Sequence, residues 1–224
     1  MTPTTAVSKW ENIVSGAVEI GKPLVLYGVA WEDYQDLQKY LGADSKLVRV
    51  SFSRGILEIM PTSTEHEYYA RLIERFINVI ALRTRQRITF FGSATMEKDE
   101  KRKGAEPDAC FFVQRADLVS GNIRFSIAEM PPDVVVEIDV HHASGEKFEI
   151  YAAFGVPEFW LYDEKALQIY ELKEGKYEAV EQSAALPVLT AAVLTEFLSR
   201  SRNEDQSDVV FEFDKWLARQ IEQN

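Results

Sequence analysis

The sequence is poor in cysteine and has no long hydrophobic run. Its 224 residues include one cysteine, Cys110, so an intrachain disulfide framework is excluded and a reducing compartment is expected. Because Cys110 lies inside an apolar run, we expect a small buried residue rather than a nucleophile. No apolar stretch reaches transmembrane length, and the N-terminus lacks a signal-peptide pattern. The sequence therefore predicts a cytoplasmic protein without a membrane partner.

Several catalytic signatures are also missing from the sequence. The absent patterns are the G-x-S-x-G elbow, H-E-x-x-H, paired C-x-x-C, the G-x-x-x-x-G-K-[ST] loop and the G-x-G-x-x-G turn. Nucleotide-driven and dinucleotide chemistry are therefore disfavoured. A hydrolase triad would have three histidines to draw on.

Positive charge is scarce. The chain has 25 Lys and Arg against 36 Asp and Glu, for a net charge of −11, which disfavours general nucleic-acid binding. An acidic nuclease would have to concentrate its basic residues locally, and the segment 83–103 does so with seven Lys and Arg against three Asp and Glu. The alternative interpretation is a solvated helix end and loop.

The chain is long enough for one sizeable domain, and no repeat or linker divides it. The periodicity predicts a long helix over 64–86, with a capping box formed by Thr64 and Glu67. A strand at 134–140, a helix at 146–154 and a strand at 159–162 predict a parallel βαβ crossover. We therefore expect one α/β domain over 1–224, with a core over about 30–172 and a helical C-terminal tail over about 189–222. The other predicted elements are a helix over 31–41, a hairpin over 47–60, strands at 23–29, 88–96, 109–113, 167–172 and 177–180, and tail helices at 189–198 and 209–221.

Two carboxylates interrupt apolar strands. Asp108 opens one strand directly after Pro107, and Glu137 lies inside another with Asp139 two residues later. Strand geometry puts Glu137 and Asp139 on one face, about 7 Å apart along the chain. A buried carboxylate needs a partner or a metal ion, and oxygen ligands suit Mg²⁺. The alternative is a carboxylate bonded to the backbone or to an arginine.

Lys147 follows in the first turn of the predicted 146–154 helix, from which its flexible stem can point back toward the end of the Glu137 strand. There it would position an attacking water or stabilise charge on a phosphate. Taken alone, such a lysine is usually solvated. Glu58 and His66 lie where they can line a cleft, and of the adjacent His141 and His142 at most one can face the site.

The order of these motifs resembles the Uma-type family of restriction-endonuclease-like proteins. This family is common in cyanobacteria and is similar to the PD-(D/E)XK nuclease superfamily. The resemblance covers about residues 30–172. It rests on segments 55–61, 107–109, 132–138 and 155–163, together with His66, Lys147 and Tyr151.

The resemblance implies a restriction-endonuclease-like α/β fold, with a mixed central sheet flanked by helices. It also implies Mg²⁺ bound by Asp108 and Glu137, with the superfamily's lysine moved to Lys147. We expect Mn²⁺ to be able to replace Mg²⁺, and Glu58, His66 and Asp139 to be auxiliary residues. Asp139 stands where many superfamily members carry the lysine. Val140-His141-His142 replaces the family's Ser-Pro-Ser-like loop.

The expected function is metal-dependent endonucleolytic hydrolysis of DNA. The alternative is a catalytically inactive nuclease fold that binds nucleic acid or a protein partner. RNA cannot be separated from DNA as a substrate at this stage. Because nucleases that cut both strands often work as dimers, we expect a homodimer.

Overall fold

A computed structural model describes residues 9–42, 47–121, 125–127, 129–139 and 145–223. Within them the helices are α1 (Lys9–Ile20), α2 (Trp31–Leu41), α3 (Thr64–Thr84), α4 (Ala116–Val119), α5 (Gly145–Phe154), α6 (Ala191–Arg200) and α7 (Gln206–Glu222). The strands are β1 (Leu24–Tyr27), β2 (Val48–Ser53), β3 (Ile56–Pro61), β4 (Thr89–Phe90), β5 (Met96–Lys98), β6 (Lys103–Ala105), β7 (Ala109–Phe112), β8 (Val134–Ile138), β9 (Glu158–Tyr162), β10 (Leu167–Lys173) and β11 (Lys176–Val180). No helix of this described part is both long and apolar enough to cross a membrane.

The strands form two sheets. A six-stranded sheet has the order β11-β10-β9-β8-β7-β4, and a five-stranded sheet has the order β1-β3-β2-β6-β5. In the larger sheet β8 and β9 are parallel and joined through α5, whereas the other neighbours are antiparallel. The predicted mixed central sheet and βαβ crossover are therefore confirmed.

Helix α3 covers one face of the six-stranded sheet. Its apolar stripe packs with the tail helices α6 and α7 against alternate residues of β7 and β8. The helix begins as predicted, but its N-cap is Ser63, whose side chain accepts from the His66 backbone N–H at 3.2 Å. The predicted capping role of Thr64 is therefore wrong by one residue. The helix ends two residues earlier than expected, before Arg85 in the left-handed region.

The hairpin of β2 and β3 was also predicted correctly. Arg54 and Gly55 connect the strands with φ values of 50° and 79°, the two positive values that a type I′ turn requires. One face of this hairpin packs against aromatic residues of α1 and α2. The opposite face carries polar side chains and approaches α5.

The single strand predicted over 88–96 is wrong. The structure has two short strands instead, and β4 pairs with β7 in the larger sheet while β5 pairs with β6 in the smaller one. Gly92, between them, has a φ of 57° that a continuous strand cannot accommodate. The chain thus passes from one sheet to the other at this glycine. Strand β8 ends at Ile138, one residue before Asp139, which the prediction had included; Val140, the last residue of the predicted strand, lies outside the described residues.

Gly104 is expected to tolerate no side chain. A Cβ built on it would lie 2.0 Å from the Tyr34 hydroxyl oxygen, inside the packed smaller sheet. We expect Gly104→Ala to lower the free energy of unfolding by about 1–3 kcal/mol, measured by urea denaturation. Gly16→Ala is the matched control, because a Cβ there meets nothing within 4 Å. Equal effects of the two substitutions would contradict the close packing at Gly104.

Candidate active site

Strand pairing brings Asp108 next to Glu137. Ala109 pairs with Val136, and the Asp108 backbone N–H donates to the Val136 carbonyl at 3.1 Å. The Asp108 Oδ2 atom in turn accepts from the Ile138 backbone N–H at 2.8 Å. Asp108 is 6% exposed and Glu137 1% exposed. The two carboxyl groups therefore lie next to each other in the interior, where β7 begins and the neighbouring β8 ends.

Helix α5 supplies a hydrogen bond to each oxygen of Glu137. Lys147 Nζ lies 2.7 Å from Oε2, and the Tyr151 hydroxyl donates to Oε1 at 2.5 Å. Residues four apart lie on the same face of a helix, so one face of α5 presents both donors. The Lys147 side chain is 17% exposed and Tyr151 is completely buried. The orientation of the Glu137 carboxylate is consequently set by two rigidly placed partners.

Burial and charge shift the titration of this group. Burial raises the pKa of Glu137 to about 7; Lys147 opposes this rise and the charge of Asp108 adds to it. Burial likewise raises the pKa of Asp108, against the effects of Lys147, the Ile138 N–H, Arg49 and a hydrogen bond with the Glu137 side chain. Burial lowers the pKa of Lys147, but the charges of Glu137, Asp108 and Glu58 outweigh it and raise this pKa overall. Lys147 therefore keeps its positive charge beside two buried carboxyl groups.

Two arginines flank the Asp108 side of the site. Arg49, on β2, has its Nε atom 3.9 Å from Asp108 Oδ1 and its Nη2 atom 3.0 Å from Glu67 Oε1. Arg71, on α3, donates to the Asp108 carbonyl at 3.2 Å and to Glu74 at 2.8 Å. The carboxyl pair thus has three cationic neighbours: Lys147 at Glu137, and Arg49 and Arg71 at Asp108.

Comparison with known proteins places this chain in a family. The sequence profile of the Uma2 family, described as "Putative restriction endonuclease", matches residues 31–205. The chain belongs to this family. The match continues past residue 172 and includes α6, so it extends further than the sequence motifs indicated. A search of curated proteins found no match.

A solved structure supports the fold of this Uma2 family member. The crystal structure of a putative nuclease belonging to DUF820 from Anabaena variabilis superposes with a TM-score of 0.51 and 15% sequence identity. The superposition covers 76% of this chain and 99% of that chain. At this identity the likeness shows the fold alone, which is the expected restriction-endonuclease-like fold.

The auxiliary residues predicted from sequence lie at different distances from the carboxyl pair. Glu58, on β3, is buried, accepts from the Ser51 hydroxyl at 3.3 Å, and lines a small cavity together with Lys147 and Arg49. Glu58 therefore borders the site.

His66 and Asp139 have clear structural contacts. His66 lies in the first turn of α3, where its Nδ1 atom is 2.7 Å from the N-cap Ser63 hydroxyl. Asp139 is buried one residue beyond β8, and its backbone N–H donates to the Tyr162 carbonyl at 2.8 Å. His141 and His142 lie outside the described residues.

The basic segment 83–103 does not form one surface. It runs from the end of α3 through β4, β5 and the start of β6, and so is divided between both sheets. Arg83 pairs with Asp214, and Arg87 pairs with Asp117 at 2.6 Å. The interpretation as a concentrated nucleic-acid patch is therefore not supported by its placement.

The site contains residues that sequence analysis did not assign. Tyr151 was noted only as part of the family resemblance, and Arg49 was not considered. Tyr151 follows Lys147 by one helical turn, and Arg49 alternates with Val48 and Val50 on β2. Helical and strand periodicity therefore place Tyr151 on the same helix face as Lys147, and Arg49 on the opposite strand face from Val48 and Val50.

The donor set fits a hard divalent cation with few protein ligands. Asp108 and Glu137 offer carboxylate oxygens side by side, with opposing charge needed to relieve their mutual repulsion. Among the residues described here, no group of three or more His, Cys, Asp or Glu side chains is arranged to hold a metal. A cation bound between these two carboxylates would complete its coordination with water and phosphate oxygens, as Mg²⁺ commonly does.

Proposed function

We propose that this Uma2 family member is a metal-dependent endonuclease that hydrolyses phosphodiester bonds in DNA. The observation that carries the proposal is the buried Asp108 and Glu137 carboxyl pair with Lys147 bonded to Glu137. Membership of a family described as restriction endonucleases and the restriction-endonuclease-like fold support chemistry of this kind.

Asp108 and Glu137 would hold Mg²⁺ or Mn²⁺. When bound, such a cation supplies Lewis acidity toward the phosphate and activates water. The Ile138 N–H orients one Asp108 oxygen, and Lys147 and Tyr151 orient both oxygens of Glu137. These hydrogen bonds fix the orientation of the two ligands before substrate binds. Hydrogen bonds to metal ligands commonly have this role.

Lys147 acts on the phosphate or on the attacking water. Its charge is held at the carboxyl pair and is maintained across the physiological pH range, so it can stabilise negative charge that develops during cleavage. Glu58, His66 and Asp139 are proposed as auxiliary residues, and of these Glu58 shares a cavity with Lys147.

Nucleases that cut both strands often work as dimers, so we propose a homodimer. We also propose a cytoplasmic location, for which the single buried cysteine, Cys110, is the supporting observation.

The proposal is tested by metal removal. Protein stripped with EDTA is incubated with supercoiled plasmid, single-stranded DNA and RNA, and Mg²⁺, Mn²⁺ or Ca²⁺ is then returned. We expect DNA cleavage with Mg²⁺ or Mn²⁺, none in EDTA, and none from an Asp108→Asn variant purified in parallel. Asp117→Asn is the matched control, because the Asp117 side chain is 68% exposed and pairs with Arg87.

Protein that remains inert with every metal and substrate would contradict the nuclease proposal. If that inert protein still bound DNA, the chain would instead be a nuclease fold that works as a binding module.

A further inference from the structure

A cleft opens between the polar face of the smaller sheet and the first turn of α5. Its volume is about 280 Å³, and it is lined by Tyr27, Ser51, Ile56, Glu58 and Glu146 together with Val25. We call it the Tyr27 cleft. The volume is at the lower end for small-molecule sites, so it suits one planar group rather than a duplex.

Strand register explains why these side chains converge. Val25 pairs with Glu58, Glu58 pairs with Ser51, and Tyr27 pairs with Ile56. Side chains that are paired across strands point to the same face of a sheet. Two neighbouring rows of side chains therefore line the cleft. One row contains Tyr27 on β1 and Ile56 on β3, and the other contains Val25 on β1, Glu58 on β3 and Ser51 on β2.

The inner end of the cleft is acidic. Glu58 is 7% exposed, and its Oε2 atom accepts from the Ser51 hydroxyl at 3.3 Å. Glu146 adds a second carboxylate from the first turn of α5. Such a lining repels a phosphate group but accepts hydrogen bonds from an amino group, as carboxylates do with the N4 amino group of cytosine.

The rim of the cleft is aromatic. Tyr27 lies on the edge strand β1 and is 77% exposed, which makes it one of the most exposed large apolar side chains of the described chain. An exposed aromatic ring offers a stacking surface for a base, worth about 1–3 kcal/mol. Val25 and Ile56 supply apolar walls beside it.

The cleft leads to the candidate active site. Glu58 and Ser51 line both the Tyr27 cleft and the small cavity that contains Lys147 and Arg49. A group bound in the cleft would therefore meet the same Glu58 and Ser51 side chains that line the Lys147 cavity.

We propose that the Tyr27 cleft binds one unpaired nucleobase that carries an exocyclic amino group, stacked on Tyr27 and hydrogen-bonded to Glu58. The inference rests on the proposed function, because it takes DNA as the substrate and places this base next to the phosphate that is cut. It makes the enzyme selective for an unstacked cytosine over thymine, which has no exocyclic amino group. Duplex DNA would have to present the base by local opening.

Binding of short fluorescent oligodeoxycytidine and oligodeoxythymidine, measured by anisotropy in EDTA, tests the inference. We expect wild-type protein to bind oligodeoxycytidine about tenfold more tightly. Tyr27→Ala should weaken both complexes about tenfold, and Tyr27→Phe should not. Glu58→Gln should remove the preference for cytosine. Tyr40→Ala is the matched control, an exposed tyrosine of α2 on the other side of the sheet.

Equal affinity for the two oligonucleotides, unaltered binding by Tyr27→Ala, or no binding of either strand would each overturn the assignment of the cleft. Plasmid cleavage with Mn²⁺ is measured on the same proteins to separate the two proposals. If the protein cleaves plasmid but Tyr27→Ala binds the oligonucleotides as tightly as the wild type, the nuclease proposal stands and the base-binding role of the cleft is wrong. The expected binding pattern without cleavage would leave the cleft standing and remove the nuclease.

Discussion

Replacing Glu137 with glutamine is expected to lower metal-dependent DNA cleavage about a thousandfold or more. The substitution keeps the size of the side chain but removes the negative charge that would hold the cation. Without the cation, the negative charge that develops on the phosphate during cleavage is no longer stabilised. The glutamine amide keeps one oxygen that can accept from Lys147, and its NH2 group can donate to the Tyr151 hydroxyl, so the surrounding structure is retained. The measurement is the initial rate of plasmid nicking at saturating Mn²⁺.

The same substitution has a separate effect on stability that identifies its cause. Burial raises the pKa of Glu137 from an ordinary 4.5 to about 7, so the folded protein binds more protons than the unfolded chain between these values. The contribution of Glu137 to the free energy of unfolding therefore falls as the pH rises from 4.5 to about 7. The fall is on the order of 3 kcal/mol. Urea unfolding of metal-free Glu137→Gln should lack this fall.

The pH comparison uses Glu65→Gln as its control, because Glu65 is an exposed carboxylate in the first turn of the neighbouring helix α3. A Glu137→Gln protein whose stability keeps the wild-type pH dependence in this range would contradict the raised pKa. A folded Glu137→Gln protein that cuts DNA at the wild-type rate would contradict the role of Glu137 in binding metal.

The elements that the sequence predicts well are those decided by local chemistry. Helix α3 has a long apolar stripe, and the β2–β3 hairpin has Arg54-Gly55, which suits a type I′ turn. The division into two sheets was not predicted, because it depends on long-range pairing of β5 and β6, which are three residues each. Strands this short have no usable periodicity. Gly92 was the local sign that one apolar run contained two strands.

The site shows the same division between local and long-range information. Asp108 and Glu137 stand out in sequence because each charge interrupts an apolar strand, and the structure brings them together. Tyr151 has no such contrast: in an apolar helix face it reads as a core residue, and its bond to Glu137 exists only once α5 packs on β8. Arg49 likewise depends on the approach of the second sheet to Asp108.

Replacing Lys147 with methionine is expected to have the largest effect on stability, together with loss of cleavage. Lys147 balances the buried charge of Glu137, and its own charge is favoured further by Asp108 and Glu58. Removing one partner of a buried pair leaves an uncompensated charge and costs about 3–5 kcal/mol. Urea denaturation at pH 8, where Glu137 is ionised in the wild type, measures this loss. Lys215→Met is the control, since its pair with Glu212 is exposed and worth less than about 1 kcal/mol.

A double-mutant cycle identifies the origin of that loss. If the destabilisation comes from the charge left on Glu137, then adding Glu137→Gln to Lys147→Met should restore most of the lost stability, because both charges are then absent. Cleavage should remain absent in the double variant, since neither the metal ligand nor the cation is present. Additive stability losses in the cycle would show that Lys147 contributes by packing rather than by its charge. The pairing between α5 and the end of β8 would then be structural, and the proposed action of Lys147 on the phosphate would lose its electrostatic basis.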